Sequence, residues 1–228
     1  MKRALAILAA TVGLTGSAVV ATSSPASADV PCVITGFTPT SVVVGLVPVS
    51  RRFDVSTAAC QESGWEVVIG NRQYAAFNDS PFETFRPRRD ADAGARDVVV
   101  TTANDDLAEN SRTFRNGFSL KRRTAFRAGT FNASPEPARA GKSINVKGRL
   151  VIADWDRGRY VGARGRAVRV QFATPSGQYL TVKTVRADRD GWVRTKVTAR
   201  FTGAWRLLYA GNATAGPAKT HGDAVVVR

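Results

Sequence analysis

The sequence predicts an all-β protein made of two antiparallel β-sandwiches in tandem behind an export signal. Short runs of β-branched and aromatic residues recur along the chain, and in the second half they alternate with polar residues at a period of two. Gly, Pro, Asn and Asp separate these runs, as they do between strands. No 3.6-residue hydrophobic period of useful length competes. With 228 residues and 43% hydrophobic content, the chain can bury two cores.

The first 28 residues are expected to be a secretory signal peptide. Lys2 and Arg3 precede an apolar run, and Ala26-Ser27-Ala28 forms an A-x-A cleavage signal. Cleavage after Ala28 would leave Asp29 as the first mature residue of an extracellular protein. No later apolar segment approaches the 18 residues of a membrane span.

The N-terminal half, residues 29–129, is predicted to be the first sandwich. Its candidate strands share β-branched runs bounded by turn residues. They are Ser41–Val44, Arg52–Val55, Trp65–Ile69 and Asp97–Thr102. Cys32 and Cys60 are the two cysteines of the chain, and export makes a disulfide between them the expected state. The chain-entropy model gives such a loop a stabilisation of roughly 3.6 kcal/mol.

The C-terminal half, residues 130–228, is predicted to be the second sandwich, with about seven strands by its turn spacing. A short, stiff connection containing Pro135 and Pro137 is expected to lead into it. Alternation is clear in the following strands, where apolar residues share one face and cations the other. These strands are Ile144–Ile152, Val168–Phe172 and Val193–Phe201.

Charge differs sharply between the halves. Residues 29–129 carry 13 basic and 12 acidic side chains, whereas residues 130–228 carry 18 basic and six acidic ones, a net charge of +12. Such asymmetry indicates separate modules, one of which meets an anionic partner.

Two groups of motifs in the C-terminal half resemble bacterial Ig-like domains. Ser134-Pro135-Glu136-Pro137-Ala138-Arg139-Ala140-Gly141-Lys142 and the strand Ile144–Gly148 resemble the family's opening. Asp190-Gly191-Trp192, Gly203-Ala204-Trp205-Arg206 and Tyr209-Ala210-Gly211 resemble its closing strands. The chain is similar to small secreted two-domain Ig-like proteins of high-GC Gram-positive bacteria, well over 130–228 and loosely over 31–129. The resemblance implies immunoglobulin-like sandwiches with adhesion, recognition or spacer roles and no catalytic residues. Trp65, which follows Cys60, departs from the antibody-type pattern.

Few residues of this sequence are candidates for a catalytic role. A Ser-His-Asp hydrolase would need His221, the single histidine, which lies in a loop-like Thr-His-Gly-Asp segment. A glycosidase would need a carboxylate pair such as Asp154 and Asp156. No G-x-S-x-G motif occurs. We expect no enzymatic activity and no cofactor, with an extracellular hydrolase as the remaining enzymatic alternative.

Calcium binding is the alternative within the non-enzymatic class. Asp154 and Asp156 share one loop, and Asp188-Arg189-Asp190-Gly191 begins like a hard-cation loop. The second motif lacks the downstream Glu of an EF-hand, and Asp-Gly is common in hairpin turns. Five nearby arginines would oppose a divalent ion.

Rows of cations give the strongest functional indication. On outward positions of alternating strands lie Lys147, Arg149, Arg169, Lys183, Arg194, Lys196 and Arg206. If the strands are neighbours, these cations align on one face. A basic stretch comprising Arg112, Arg115, Lys121, Arg122, Arg123 and Arg127 adds charge beside the junction.

The predicted partner is therefore an anionic cell-wall polymer or another polyanion, bound with release of counterions. Aromatic residues do not interleave with the cations, so sequence-specific nucleic-acid recognition is not expected. A charged surface that serves only solubility is the competing interpretation.

Overall fold

The computed structural model describes residues 32–60, 64–70, 72–73, 82–103, 109–175 and 177–228. Within these ranges the fold is β throughout, apart from one 3₁₀ turn at Asp90–Asp92, which confirms the all-β prediction. The expected signal peptide, residues 1–28, lies outside the described residues. Among those described, no helix is long and apolar enough to cross a membrane.

Nine strands form the N-terminal sandwich. They are β1 (Val33–Thr38), β2 (Ser41–Val44), β3 (Val49–Arg52), β4 (Asp54–Ala58), β5 (Gly64–Ile69), β6 (Arg72–Gln73), β7 (Phe82–Phe85), β8 (Gly94–Ala103) and β9 (Glu109–Arg122). A five-stranded sheet has the order β2-β9-β8-β5-β6, and the pairs β1-β4 and β3-β7 form two smaller sheets. The pairing is antiparallel except between β2 and β9, which run parallel and so depart from the prediction of purely antiparallel sheets.

Aromatic rings fill the N-terminal core. Phe53, Phe85 and Phe118 are almost completely buried, and the rings of Phe85 and Phe118 stack with centroids 5.6 Å apart. Valines of β2, β5 and β8 complete this core. Period-two burial along these strands follows from their β-branched runs, because alternate side chains of a strand point to opposite faces.

Ten strands form the C-terminal sandwich. They are β10 (Thr124–Phe126), β11 (Asn132–Ser134), β12 (Lys142–Asp154), β13 (Arg159–Gly162), β14 (Ala167–Ala173), β15 (Leu180–Arg186), β16 (Trp192–Ala199), β17 (Gly203–Tyr209), β18 (Ala218–Lys219) and β19 (Asp223–Val225). One sheet is centred on β12, which pairs with β10, β11, β13 and β16. The other has the order β15-β14-β17-β18, with β19 also paired to β17.

The C-terminal core lies between those two sheets. Ile144, Val146 and Leu150 from β12 are buried there with Val168 and Val170 from β14. The alternating pattern of these strands places their intervening polar residues on the outer faces.

Strand β9 and strand β11 differ from the expectations. The 14-residue β9 is the longest strand within the described residues, and its polar sequence carries Arg112, Arg115, Lys121 and Arg122 of the basic stretch. Strand β11 occupies part of the region expected to be a connection, and it pairs with β12. Both segments are held by hydrogen bonds to neighbouring strands, which hydrophobic periodicity alone does not indicate.

The chain passes from the first sandwich to the second at residues 122–124. Arg122 N–H donates to Thr214 O (3.0 Å), and Ala153 N–H donates to Arg123 O (2.8 Å). The predicted boundary near residue 129 therefore lies after β10, a strand that already belongs to the C-terminal sheet through its pairing with β12.

Trp155 joins the two sandwiches. It follows β12 in the chain, yet its side chain is 7% exposed and lies in the N-terminal core. Its Nε1–H donates to Gly45 O at 2.9 Å, and its backbone N–H donates to an Asp90 carboxylate oxygen at 2.7 Å. At the same junction Arg122 pairs with Asp90 at 2.7 Å, and its Nε–H donates to Ala153 O of β12 at 2.6 Å.

The predicted disulfide between Cys32 and Cys60 is present, with a Cα–Cα distance of 4.4 Å. It links the segment before β1 to the segment after β4. Because β1 and β4 pair with each other, the bond closes the end of that two-stranded sheet.

Candidate polyanion-binding surface

Four of the seven predicted cations lie together on the sheet centred on β12. Lys147 on β12 stands opposite Arg194 on β16, and Arg149 stands opposite Trp192. Lys196 lies two residues beyond Arg194 on the same strand. Lys147, Arg194 and Lys196 are exposed, and the Arg194 guanidinium covers the Trp192 ring at 4.4 Å. These four cations form the β12–β16 patch.

Two other predicted cations, Arg169 and Arg206, lie on the opposite sheet. Arg206 on β17 donates through Nε to Gln171 at 2.8 Å, and its guanidinium lies 3.7 Å from the centre of the Tyr179 ring. Arg169 on β14 stands opposite Leu208 of β17. The cations therefore do not share one face, because β12 and β14 belong to different sheets.

Lys183 lies at the edge between the sheets. The register of β14 and β15 shifts between Val170 and Gln171, and this irregularity leaves both Val182 and Lys183 beside a groove. Lys183 Nζ donates to Lys196 O at 3.4 Å. The groove has a volume of about 430 Å³, and Phe201 on its rim is 65% exposed.

A second cavity of about 460 Å³ opens beside β14 and β15, and we call it the arginine pocket. Arg166, Arg169 and Arg186 line it together with Tyr209. Of these residues, only Arg169 is among the seven cations that the sequence predicts to bind a polyanion. Arg186 could have been found from the period of β15, since it lies two residues beyond Thr184, which stands opposite Arg169.

Few cations of the C-terminal sandwich are neutralised by carboxylates. Over the described residues, the ion pairs of residues 130–228 are Arg157–Asp154, Arg189–Asp190 and Arg194–Asp188. The remaining cations of residues 130–228 have no carboxylate within ion-pair distance among the described residues, and they repel one another.

The basic stretch near the junction does not form one surface. Arg122 is largely enclosed by its ion pair with Asp90 and by its Nε–H bond to Ala153 O at 2.6 Å. Arg112 donates to Ile34 O and lies 4.9 Å from the Phe114 ring centre. Arg112 thus serves the packing of the N-terminal sandwich, and Arg122 serves the junction with β12.

The carboxylates of the calcium hypothesis separate into two places. Oxygen atoms of Asp154 and Asp156 lie within 4.8 Å of one another and of an Asp90 oxygen. Two of these carboxylates already have cationic partners, since Arg122 pairs with Asp90 and Arg157 pairs with Asp154, each at 2.7 Å. A divalent ion would have to compete with both arginines.

Asp154 is buried, being 1% exposed. Burial by itself would raise the pKa of this carboxyl. Hydrogen bonds from the Arg157 side chain and backbone, together with its positive charge, outweigh that effect and lower the pKa below the ordinary value.

Asp188 and Asp190 lie in the turn between β15 and β16. One oxygen of Asp188 accepts hydrogen bonds from the backbone N–H groups of Asp190 and Trp192, both at 2.9 Å, and the other accepts from Arg194. The bond from Trp192 is the largest of the effects that lower the pKa of Asp188. This carboxylate therefore organises a turn between the two sheets.

Two carboxylates that could support hydrolysis, Asp154 and Asp223, accept hydrogen bonds that serve the fold. His221 is exposed on the loop before β19. The neighbouring Asp223 accepts a hydrogen bond from Ala133 N–H at 2.7 Å, which ties that loop to β11. The buried Asp154 is held by Arg157.

Comparisons with known proteins identify no family. No protein-family model matches the chain, and no curated protein matches it. Fibronectin(III)-like modules of Clostridium thermocellum CbhA align with a TM-score of 0.38 and 11% identity, over 86% of this chain and 93% of theirs. The D00-D0 domain of intimin gives a TM-score of 0.30 and 10% identity, over 84% and 98%.

Three N-terminal domains of the bacteriophage RB49 outer capsid protein Hoc also align, with a TM-score of 0.30 and 12% identity. They are matched over 87% of this chain and 69% of that one. The function is therefore argued from the side chains of this chain. Its fold and sequence define a disulfide-bonded, all-β protein in which residues 130–228 carry a net charge of +12.

Proposed function

We propose that this protein is a secreted, non-enzymatic binding module that holds anionic cell-envelope or extracellular polymers on its C-terminal sandwich. The supporting observation is the charge left unpaired on both outer faces of that sandwich. Six acidic side chains accompany 18 basic ones in residues 130–228, and three of those acids already form ion pairs within the described residues.

The β12–β16 patch illustrates why an anion would be favoured there. Lys147 and Arg194 are directly opposite each other, and like charges in that position destabilise a sheet. Asp188 relieves part of this repulsion through its ion pair with Arg194. A polymer anion lying across the patch would relieve the rest and release its own counterions.

The polar groups that could support hydrolysis have other roles in the fold. Asp154 holds a loop through Arg157, and Asp223 holds β11. A non-enzymatic role is consistent with these assignments. The hydrolase alternative requires an activity that a His221→Ala variant loses.

Salt-dependent retention on heparin or purified cell wall tests the proposal. The chain from Asp29 is expected to bind at low salt and to elute as salt rises. A K147Q/R149Q/K196Q variant should elute earlier, with the slope of log affinity against log salt reduced by up to about one for each cation in contact.

An R51Q/R86Q/R88Q variant is the matched control. It removes the same number of charges from exposed positions of the N-terminal sandwich. Equal losses in both variants would mean that net charge alone governs retention. Retention of the unsubstituted chain that does not change with salt would contradict the proposal.

A calcium-dependent structural module is the second candidate, favoured by the proximity of Asp90, Asp154 and Asp156. Because two of these carboxylates are already paired with arginine, we expect Ca²⁺ and EGTA to leave the thermal midpoint unchanged. A calcium-induced rise of several degrees, absent in an Asp156→Asn variant, would favour this candidate instead.

A further inference from the structure

We infer that the arginine pocket binds a phosphate or sulfate group. This inference rests on the proposed function and assigns polyanion recognition to one cavity. The pocket is an open cavity of about 460 Å³ at one end of β14 and β15. Its lining includes Arg166, Arg169, Arg186, Thr184, Tyr209 and Asn212.

Three arginines are among the residues that line the pocket, and no Asp or Glu is among them. Ala167 of β14 stands opposite Arg186 of β15, and Arg169 stands opposite Thr184, so Arg169 and Arg186 are diagonal neighbours on one face. Side chains in this relation lie roughly 7–8 Å apart at their bases, within reach of a common ligand. Arg186 also donates to Gly165 O at 3.0 Å, which orients it over the turn before β14.

Tyr209 lies at the pocket, but its side chain belongs to the C-terminal core. Its side chain is 4% exposed, and its hydroxyl has no hydrogen-bond partner among the described residues. Alternate side chains of a strand point to opposite faces, so the Tyr209 ring lies on the core side of its sheet, whereas Arg169, which stands opposite Leu208, lies on the outer side. We therefore assign anion binding to the outer face, without the Tyr209 hydroxyl.

Asn212 adds a donor to the same site. Its Oδ1 accepts hydrogen bonds from the backbone N–H groups of Thr214 (3.0 Å) and Ala215 (2.9 Å). This arrangement leaves the amide Nδ2 of Asn212 to donate elsewhere. The pocket thus combines the exposed cations Arg169 and Arg186 with the neutral donor Asn212, a set that suits the several oxygen atoms of a phosphate or sulfate group.

Binding of inorganic phosphate and pyrophosphate to the chain from Asp29 tests the pocket directly. Titration calorimetry should give an affinity for pyrophosphate that falls about tenfold or more in an R169Q/R186Q variant, because charge-assisted hydrogen bonds are lost. An R86Q/R88Q variant removes two exposed charges from the N-terminal sandwich and should bind as the unsubstituted chain does. Equal pyrophosphate affinity in R169Q/R186Q and in the unsubstituted chain would overturn the inference.

A Tyr209→Phe variant is a second control, on the core side of the same sheet. Removing an unpartnered buried hydroxyl should leave the thermal midpoint of the free protein unchanged or higher and should leave the pyrophosphate affinity unchanged. A loss of affinity in Tyr209→Phe as large as that in R169Q/R186Q would contradict the assignment of the anion to the outer face.

Polymer probes identify the source of the anionic group. Retention on heparin and binding of polyphosphate should weaken in R169Q/R186Q together with pyrophosphate binding. Weakened pyrophosphate binding with unaltered retention would contradict the pocket's role in polymer recognition and support a site for free anions.

Different experimental outcomes would reject the anion-binding pocket and the proposed polymer-binding function. Salt-dependent retention without any pyrophosphate binding would reject the pocket and leave the proposed function standing. Pyrophosphate binding in a chain that no polyanion matrix retains would reject the proposed function.

Discussion

At the scale of single residues, burial decides which charged groups serve the fold and which remain available. Asp154 and Arg122 are enclosed, and each forms an ion pair within its own sandwich, near the junction. Lys147 and Lys196 are exposed and keep their charge. The sequence pattern predicted an outer face for Lys147 and Lys196, but it did not indicate that Arg122 would form an enclosed ion pair with Asp90.

An Asp154→Asn substitution is expected to lower the free energy of unfolding by about 1–3 kcal/mol at pH 7, because a buried, charge-assisted hydrogen bond is lost. The folded-state pKa of Asp154 is lowered, so its contribution is present above the unfolded value of about 3.9 and disappears as pH falls through the folded value. The difference between the two proteins should therefore be constant above about pH 5 and shrink in acid.

Urea denaturation from pH 2 to 8 measures this difference. Asp156→Asn is the matched control, since Asp156 belongs to the same loop and is exposed. A deficit in Asp154→Asn that persists undiminished at pH 2 would show that the carboxylate charge is not its cause.

At the scale of strands and turns, the connection from β15 to β16 determines how the cations are distributed. These consecutive strands and their Asp-Gly turn suggest a hairpin, but β15 pairs with β14 whereas β16 pairs with β12. Since the connection crosses between sheets, Lys183 and Lys196 belong to different sheets and meet only at their edge, where Lys183 Nζ donates to Lys196 O.

Replacing Gly191 in that connection by Ala is expected to destabilise the protein by about 2–5 kcal/mol. Its φ is +84°, and an added Cβ would collide with Leu150 O and lie 2.8 Å from Gly162 Cα. Left-handed backbone costs roughly 1–2 kcal/mol for an L-residue, and forced overpacking costs about 1–3 kcal/mol more.

Gly158→Ala is the control for backbone strain alone, since Gly158 has a φ of +61° and open space around the added Cβ. Denaturant melts should show a markedly smaller loss for Gly158→Ala. Equal losses at both positions would mean that the close contact with Leu150 has no energetic consequence.

At the scale of the whole molecule, Trp155 fixes the two sandwiches to each other. The side chain belongs by sequence to the C-terminal sandwich and by packing to the N-terminal core. Its bonds to Gly45 and Asp90 lie at the same junction as the Arg122–Asp90 ion pair. The orientation of the cationic surface is thereby coupled to the N-terminal sandwich.

A Trp155→Ala variant should lose about 3–5 kcal/mol of stability, because a large buried side chain leaves a cavity. The N-terminal sandwich should bear most of this loss, so that calorimetry resolves two transitions where the unsubstituted chain shows one. Trp192→Ala is the control, since Trp192 is half-buried on the outer face of β16. A single transition at an unaltered midpoint in Trp155→Ala would contradict this role.

The strand pattern could be predicted in part because local alternation carries the information. Ser41–Val44 corresponds to β2, and the predicted Trp65–Ile69 strand lies within β5. A β-branched run with one buried face can adopt few other strand registers, because a shift by one residue would expose its apolar side chains. Polar β9 could not be predicted in this way, because its place is fixed by pairing with β8 and β2.

The sequence by itself determined that the chain is all-β, that Cys32 and Cys60 pair, and that residues 130–228 carry the excess of positive charge. Composition, period and cysteine number are properties of the chain before it folds. Only the tertiary structure decided that Arg169 meets Arg186 beside Tyr209, while Lys147 meets Arg194 on the other sheet. The physical reason is that hydrogen bonds between strands far apart in sequence assign each strand to a sheet, and that assignment sets which side chains become neighbours.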